Sequence, residues 1–195
     1  MKKQNKFLHR TSIAFISLGM FLCWPGCKQG NAQGNNHQRS VQNPTPAVDI
    51  HSAIVTGNTA VLKQYIAAGT NLNEKDPIGG SSPLITACLF GKTDMARLLI
   101  DAGVELNFQN NEGSTPLHTA AFFCRPEIVQ LLLAKGADKT IKNKYGQTAY
   151  QTVAGEYASV KPVYETIGKM LAPMGLKLDE AYIEKTRPQI AATLK

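Results

Sequence analysis

SPLITACLFGKTDMARLLIDAGVELN (82–107) and TPLHTAAFFCRPEIVQLLLAKGAD (115–138) decide how this chain folds. The windows 83–115 and 116–148 align without gaps and agree at 11 of 33 positions, among them Pro83/Pro116, Leu84/Leu117, Phe90/Phe123, Leu99/Leu132, Gly103/Gly136 and Asn110/Asn143. Self-similarity at this period restricts the architecture to stacked helix-pair units, each too small to bury its apolar face alone. The second copy shows how one unit works. Thr115 is a helix N-cap, and Pro116 takes the first helical position, where a missing N–H costs nothing. Leu117, Ala120 and Ala121 line the buried face of a first helix, the alanines letting neighbouring helices approach closely. Ile128, Leu131 and Leu132 recur at the i, i+3, i+4 spacing of an amphipathic second helix. Gly136 supplies the left-handed backbone that ends it.

These residues resemble the ankyrin repeat. Thr115-Pro116-Leu117-His118 copies that family's opening motif, and Gly103-Val104 and Gly136-Ala137 fit its turn into the hairpin. The resemblance implies an all-α repeat solenoid in which helix-turn-helix units alternate with β-hairpin loops, with three to four repeats and degenerate terminal caps. Asp49 to Ala53, Gly57, Val61 to Gly69 and Leu72-Asn73 form a first repeat without the Thr-Pro start. One extra residue among Gly79, Gly80 and Ser81 lengthens the loop into the second. Gly146-Gln147-Thr148-Ala149-Tyr150 opens a fourth unit, whose second helix is expected at 165–175 after about six inserted residues. Terminal repeats have one neighbour only, so decay at both ends is expected. The repeat domain thus spans 47–175. The segment 176–195 is a C-terminal cap in which Asp179 starts a short helix through Thr186, ending before Pro188.

The 195 residues carry 21 Lys plus Arg and 14 Asp plus Glu, a net charge of +7. That excess lies mostly ahead of the repeats: Lys2, Lys3, Lys6 and Arg10 precede residue 26 without a single acid, and 47–155 is neutral. A nucleic-acid binder carries its basic stripe on the folded body, so that class is excluded here. The apolar run from Ile13 to Trp24 (IAFISLGMFLCW) follows the basic start and stops at Pro25-Gly26, which is the layout of a secretory signal over 1–26. Gly26-Cys27 resembles a bacterial lipoprotein junction, making Cys27 the lipidation site. Small residues at 30 and 32 offer ordinary cleavage after Ala32 as the alternative. The polar stretch 27–46, rich in Gly, Asn and Gln, is a flexible tether by composition. Together these imply an exported protein of the periplasm or cell envelope, held to a membrane through an N-terminal lipid if Cys27 is modified.

Enzyme and metal signatures are absent: there is no GxSxG, HExxH, phosphate loop or paired CxxC. No catalytic residue, cofactor or metal site is expected. His51 and His118 fall where the family uses a histidine to brace its hairpin. Cys88 and Cys124 are expected as free thiols, with a bridge between them the alternative in an oxidising compartment. Cys124 stands where the family has glycine.

A concave face remains as the expected docking surface for a protein partner on a monomer. Carried over by position it includes Leu89, Phe90, Thr119, Phe122 and Phe123, with Phe108, Glu112, Lys142, Lys144 and Tyr145 on the hairpins. All four phenylalanines beyond the signal map here, and a contiguous apolar patch with aromatics marks an interaction site. The alternative is that the C-terminal segment, or the tether, folds across and covers them. The partner is then a protein to be scaffolded, a toxin or exported enzyme to be sequestered, or an envelope enzyme to be assisted.

Overall fold

The computed structural model describes residues 46–195, all of them in helices, turns and loops; no strand occurs among them. The proposed signal 1–26, the tether up to 45 and Cys27 lie outside the described residues. Three helix pairs come first: α1 (Ile50–Thr56) with α2 (Thr59–Ala67), α3 (Pro83–Leu89) with α4 (Thr93–Asp101), and α5 (Pro116–Phe122) with α6 (Pro126–Ala134). Two longer helices follow, α7 (Tyr157–Leu171) and α8 (Glu180–Leu194), joined through a 3-10 turn at Ala172–Met174.

Each first helix is started by a side chain. Asp49 accepts from the Ser52 N–H, Ser82 from Ile85 and Thr115 from His118, with Pro83 and Pro116 just inside the last two. The capped helices stack as an inner layer, α1 on α3 on α5, and the second helices form an outer layer, α2 on α4 on α6. Ala53, Ala87, Ala120 and Ala121 are fully buried in the inner layer, and Leu62, Leu99, Ile128 and Leu132 fill the space between layers. One continuous core runs from Ile50 to Leu194, as a stack whose units cover one another requires.

The loops turn back as hairpins without forming a β-ladder, closed instead by one side chain each. The Asn110 carboxamide accepts from Glu112 and Ser114 N–H groups, and Asn143 from Tyr145 and Gln147. Asp76 does the same in the first hairpin for Ile78, Gly79 and Ser81. The extra residue sits in this tip, since Asp76 N–H reaches the Ser81 carbonyl while Asn110 reaches Ser114. Adjacent hairpins join through Asn111 N–H to the Gly79 carbonyl and Lys144 N–H to the Glu112 carbonyl, both at 3.0 Å. Gly113 permits that second contact, because a Cβ there would meet the Lys144 nitrogen at 3.0 Å.

The C-terminal end departs from the sequence expectation. Residues 149–154 make only turns, and α8 packs on α5 and α6, the place a fourth helix pair would take. The Asp179 cap is where expected, but α8 runs through Pro188 to Leu194. Pro162 likewise lies inside α7. Both prolines, and the residues four before them, are exposed; the backbone acceptors that proline leaves unmatched therefore lie on the wet side of each helix.

Candidate functional site

A groove of about 730 Å³ runs between the concave side of repeats two and three and the flank of α7. Ile85, Leu89, Thr119, Phe122 and Phe123 come from the first helices. Val160, Val163, Ile167, Met170 and Leu171 form the opposite wall, at the three- and four-residue spacing of one α7 face. Polar groups rim the hairpin side: Glu112, Asn143, Tyr145, Gln147 and Gln151. Val163 is 46% exposed and Met170 is exposed further, so the α7 wall faces water.

α7 is held in place by a buried polar buttress. The Tyr164 ring lies 4.5 Å from that of Phe122, at 15° to it, and its hydroxyl donates to the Phe122 carbonyl at 2.5 Å. Arg187 of α8, 2% exposed, donates through Nη1 to the Tyr164 hydroxyl at 2.8 Å and through Nη2 to the carbonyls of Thr152 and Gly155. Burial raises the Tyr164 phenol to about 12, so the hydroxyl keeps its proton as a donor. Cys124 anchors α8 in turn, its Sγ lying 3.7 Å from the Ile183 carbonyl. It has φ 52°, the one non-glycine residue with positive φ among those described, where the equivalent Gly91 has φ 64°. Both Cys88 and Cys124 are free and buried, and burial pushes their thiols well above the ordinary range, Cys124 to about 11.

The two family histidines act as braces. His118 Nδ1 accepts from Thr115, and its Nε2 donates to the Gln147 carbonyl at 2.9 Å, tying α5 to the third hairpin. This tautomer follows from the partners, because the Thr115 N–H can only donate. His51 lies 2.9 Å from the Thr86 hydroxyl and 3.2 Å from the Glu74 carbonyl, so it ties repeat one to repeat two.

The structure distributes the expected docking residues unevenly. Leu89, Glu112, Thr119, Phe122, Phe123 and Tyr145 all line the groove. The four phenylalanines do not form one open patch. Phe123 is 7% exposed, Phe122 lies under Tyr164 and packs on the core, and Phe108 is half-buried with the Lys75 ammonium 5.3 Å from its ring centroid. Phe90, also half-buried, is the C-cap of α3. The segment that covers the face is therefore α7, and it covers only the end of repeat three. Lys142 and Lys144 are exposed on the third hairpin beside Tyr145, which is 71% exposed and donates to the Glu112 carboxylate at 2.7 Å. Sequence reasoning did not place Ile78 in the site, although it is 91% exposed at the tip of the lengthened first hairpin. It also missed the α7 stripe, whose spacing is legible but whose direction over the concave face has no local signal. Among the described residues no cluster of His, Cys, Asp or Glu is arranged to hold a metal ion, and no helix is long and apolar enough to cross a membrane.

Comparison with known proteins agrees with this geometry. Residues 50–143 match the family model for ankyrin repeats in three copies. Protein phosphatase 1 regulatory subunit 27 of Homo sapiens and that of Mus musculus are each 31% identical over 70 residues, covering 36% of this chain and 45% of each relative. The alignments thus span less than half the length of these curated relatives. The ankyrin repeat domain of Bcl-3, a member of the IkappaB protein family, shares 29% identity with a TM-score of 0.51 over 53% of this chain and 45% of that one. Three capped helix pairs, hairpins closed by a repeated Asn or Asp, and these likenesses converge on one assignment: residues 50–143 are three ankyrin repeats.

Proposed function

We propose that the chain is an exported, Cys27-anchored protein-binding module that captures one partner protein on its concave face and hairpin tips and performs no catalysis itself. The observation that carries this reading is the rigid display of exposed side chains on hairpins that are each internally closed. Ile78 and Tyr145 protrude from tips that Asp76 and Asn143 hold shut, and the groove lies behind them. Preorganised anchors lose little freedom on binding, which is what makes such positions effective contact points. The basic, then apolar, N-terminus supports export, and the polar tether after Cys27 suits a body held near a membrane.

A photo-crosslinking amino acid at position 145 in the full chain tests this in envelope extracts. One protein is expected to be captured, and Leu89→Asp combined with Ile78→Ser is expected to abolish capture while the helical circular dichroism is kept. Unchanged capture by that double variant would sink the reading. Mass spectrometry of the mature N-terminus separates a lipidated Cys27 from a chain beginning at Gln33.

A second reading is regulation of an exported enzyme, by inhibition or as an accessory subunit. It is favoured by the curated relatives, which are named as phosphatase regulatory subunits. Here the captured protein is an enzyme whose turnover changes when this chain is added.

A further inference from the structure

Arg187 is a buried cation held by neutral oxygens and by the Tyr164 ring, whose centroid lies 5.8 Å from the guanidinium carbon. Its Nη atoms serve the Tyr164 hydroxyl and the Thr152 and Gly155 carbonyls, its Nε has no acceptor, and among the described residues no carboxylate forms an ion pair with it. A charge withdrawn from water without an opposite charge is costly, and a carboxylate meeting a guanidinium makes the strongest class of hydrogen bond. Arg187 also lines the groove, together with its acceptors Thr152 and Gly155. The lining also includes the apolar Leu89, Phe122, Val160, Val163 and Ile167. The groove therefore combines a single positive side chain with a hydrocarbon wall from α7 and the inner helices, while polar groups rim its hairpin side. Its one acidic side chain, Glu112, sits at a hairpin tip, already engaged by Tyr145.

We infer that this groove binds a free fatty acid, with its carboxylate at Arg187 and its chain between the concave face and α7. The volume lies within the roughly 300–1,000 Å³ usual for small-molecule sites. An extended peptide fits less well. It brings backbone N–H and C=O groups that need partners, and the α7 wall offers aliphatic side chains on a helix with no strand edge to pair. A hydrocarbon chain brings no such demand. The groove shares Leu89 and the concave face with the docking reading, and the readouts keep the two apart: crosslinked protein for the one, amphiphile titration of the purified chain for the other.

The test titrates the full chain with dodecanoate, dodecanol and dodecyltrimethylammonium, each below its aggregation concentration, by calorimetry and by NMR of the side-chain methyl groups. Dodecanoate is expected to bind once per chain and shift the methyls of Leu89, Val163 and Ile167. The ammonium amphiphile is expected to bind at least about tenfold more weakly, because it meets Arg187 with like charge. Across octanoate, decanoate and dodecanoate, each added pair of methylenes should tighten binding about tenfold. Arg187→Gln should erase the preference for the carboxylate. Because that substitution also touches the α7 buttress, Val163→Glu, at an exposed wall position, supplies a fold-sparing variant that should lose dodecanoate. Equal binding of anionic and cationic amphiphiles, methyl shifts away from the groove, or full binding by Val163→Glu each overturns the inference. So does a chain that ignores dodecanoate yet binds an apolar peptide ending in a carboxylate.

Discussion

Replacing Tyr164 with phenylalanine removes one oxygen atom and should nonetheless loosen the whole C-terminal end. The ring can stay stacked on Phe122, so little apolar burial changes. Two buried partners lose their contact: the Phe122 carbonyl, 2.5 Å from the hydroxyl, and Arg187 Nη1, 2.8 Å away. A neutral hydrogen bond contributes about 0.5–1.5 kcal/mol and one to a charged group about 1.5–3, so the loss should total roughly 2–4 kcal/mol. With a urea slope of about 2 kcal/mol/M, the midpoint should fall by about 1–2 M without a change in slope. Urea unfolding followed by circular dichroism reads this directly. A double-mutant cycle with Arg187→Met then separates network from sum, since Tyr164→Phe should cost clearly less once the guanidinium is gone. Amide exchange across 157–171 should accelerate in the single variant. A midpoint shift equivalent to less than about 0.5 kcal/mol, the lower limit for a single neutral bond and far below one to a charged group, would refute the buttress as the feature that holds α7.

Three further outcomes follow from the packing. Leu132→Ala, at a fully buried position between α6 and its neighbours, should cost about 2–5 kcal/mol and lower the melting temperature of the stack. At Cys124 the usual order of substitutions should invert. Glycine relieves about 1–2 kcal/mol of left-handed backbone strain that alanine retains, so Cys124→Gly should be more stable than Cys124→Ala in parallel thermal melts. The third concerns pH. Burial holds the His118 imidazole below its ordinary value near 6.5, although the Gln147 carbonyl pulls the other way. The unfolded chain therefore takes up this proton more readily. Stability is present in full above about pH 6.5 and declines as pH falls through that value and on towards the lower folded one. Denaturation series between pH 8 and pH 5 should show this decline, and it should be absent in His118→Gln.

The repeats were legible because their physics is local. Capping residue, proline, small inner-face residues and the closing glycine fall within one 33-residue window, and a second window repeats them. The histidine braces were legible for the same reason, as was the glycine position that Cys124 occupies; its left-handed backbone is seen in the structure. The C-terminal end was not. Its pattern depends on where α7 goes after Gly155, and that is settled by Tyr164 finding Phe122, a contact 42 residues apart. The helix through Pro188 was missed because proline's cost depends on which side of the helix is wet, which sequence spacing does not reveal. The phenylalanine cluster was misjudged in its exposure for a related reason. The position of Phe122 on the inner helix is a repeat property, while its cover is a tertiary one.

The attachment of α7 and α8 has a consequence for how such a chain changes length. Both helices grip features peculiar to repeat three, Phe122 and Cys124, where repeat two has Leu89 and Gly91. Repeat three is thus a keyed coupling, and repeat two is an interchangeable cassette. Duplicating the cassette upstream lengthens the scaffold and leaves the terminus intact. Exchanging repeat three for a copy of repeat two removes the lock and leaves the last inner helix uncovered.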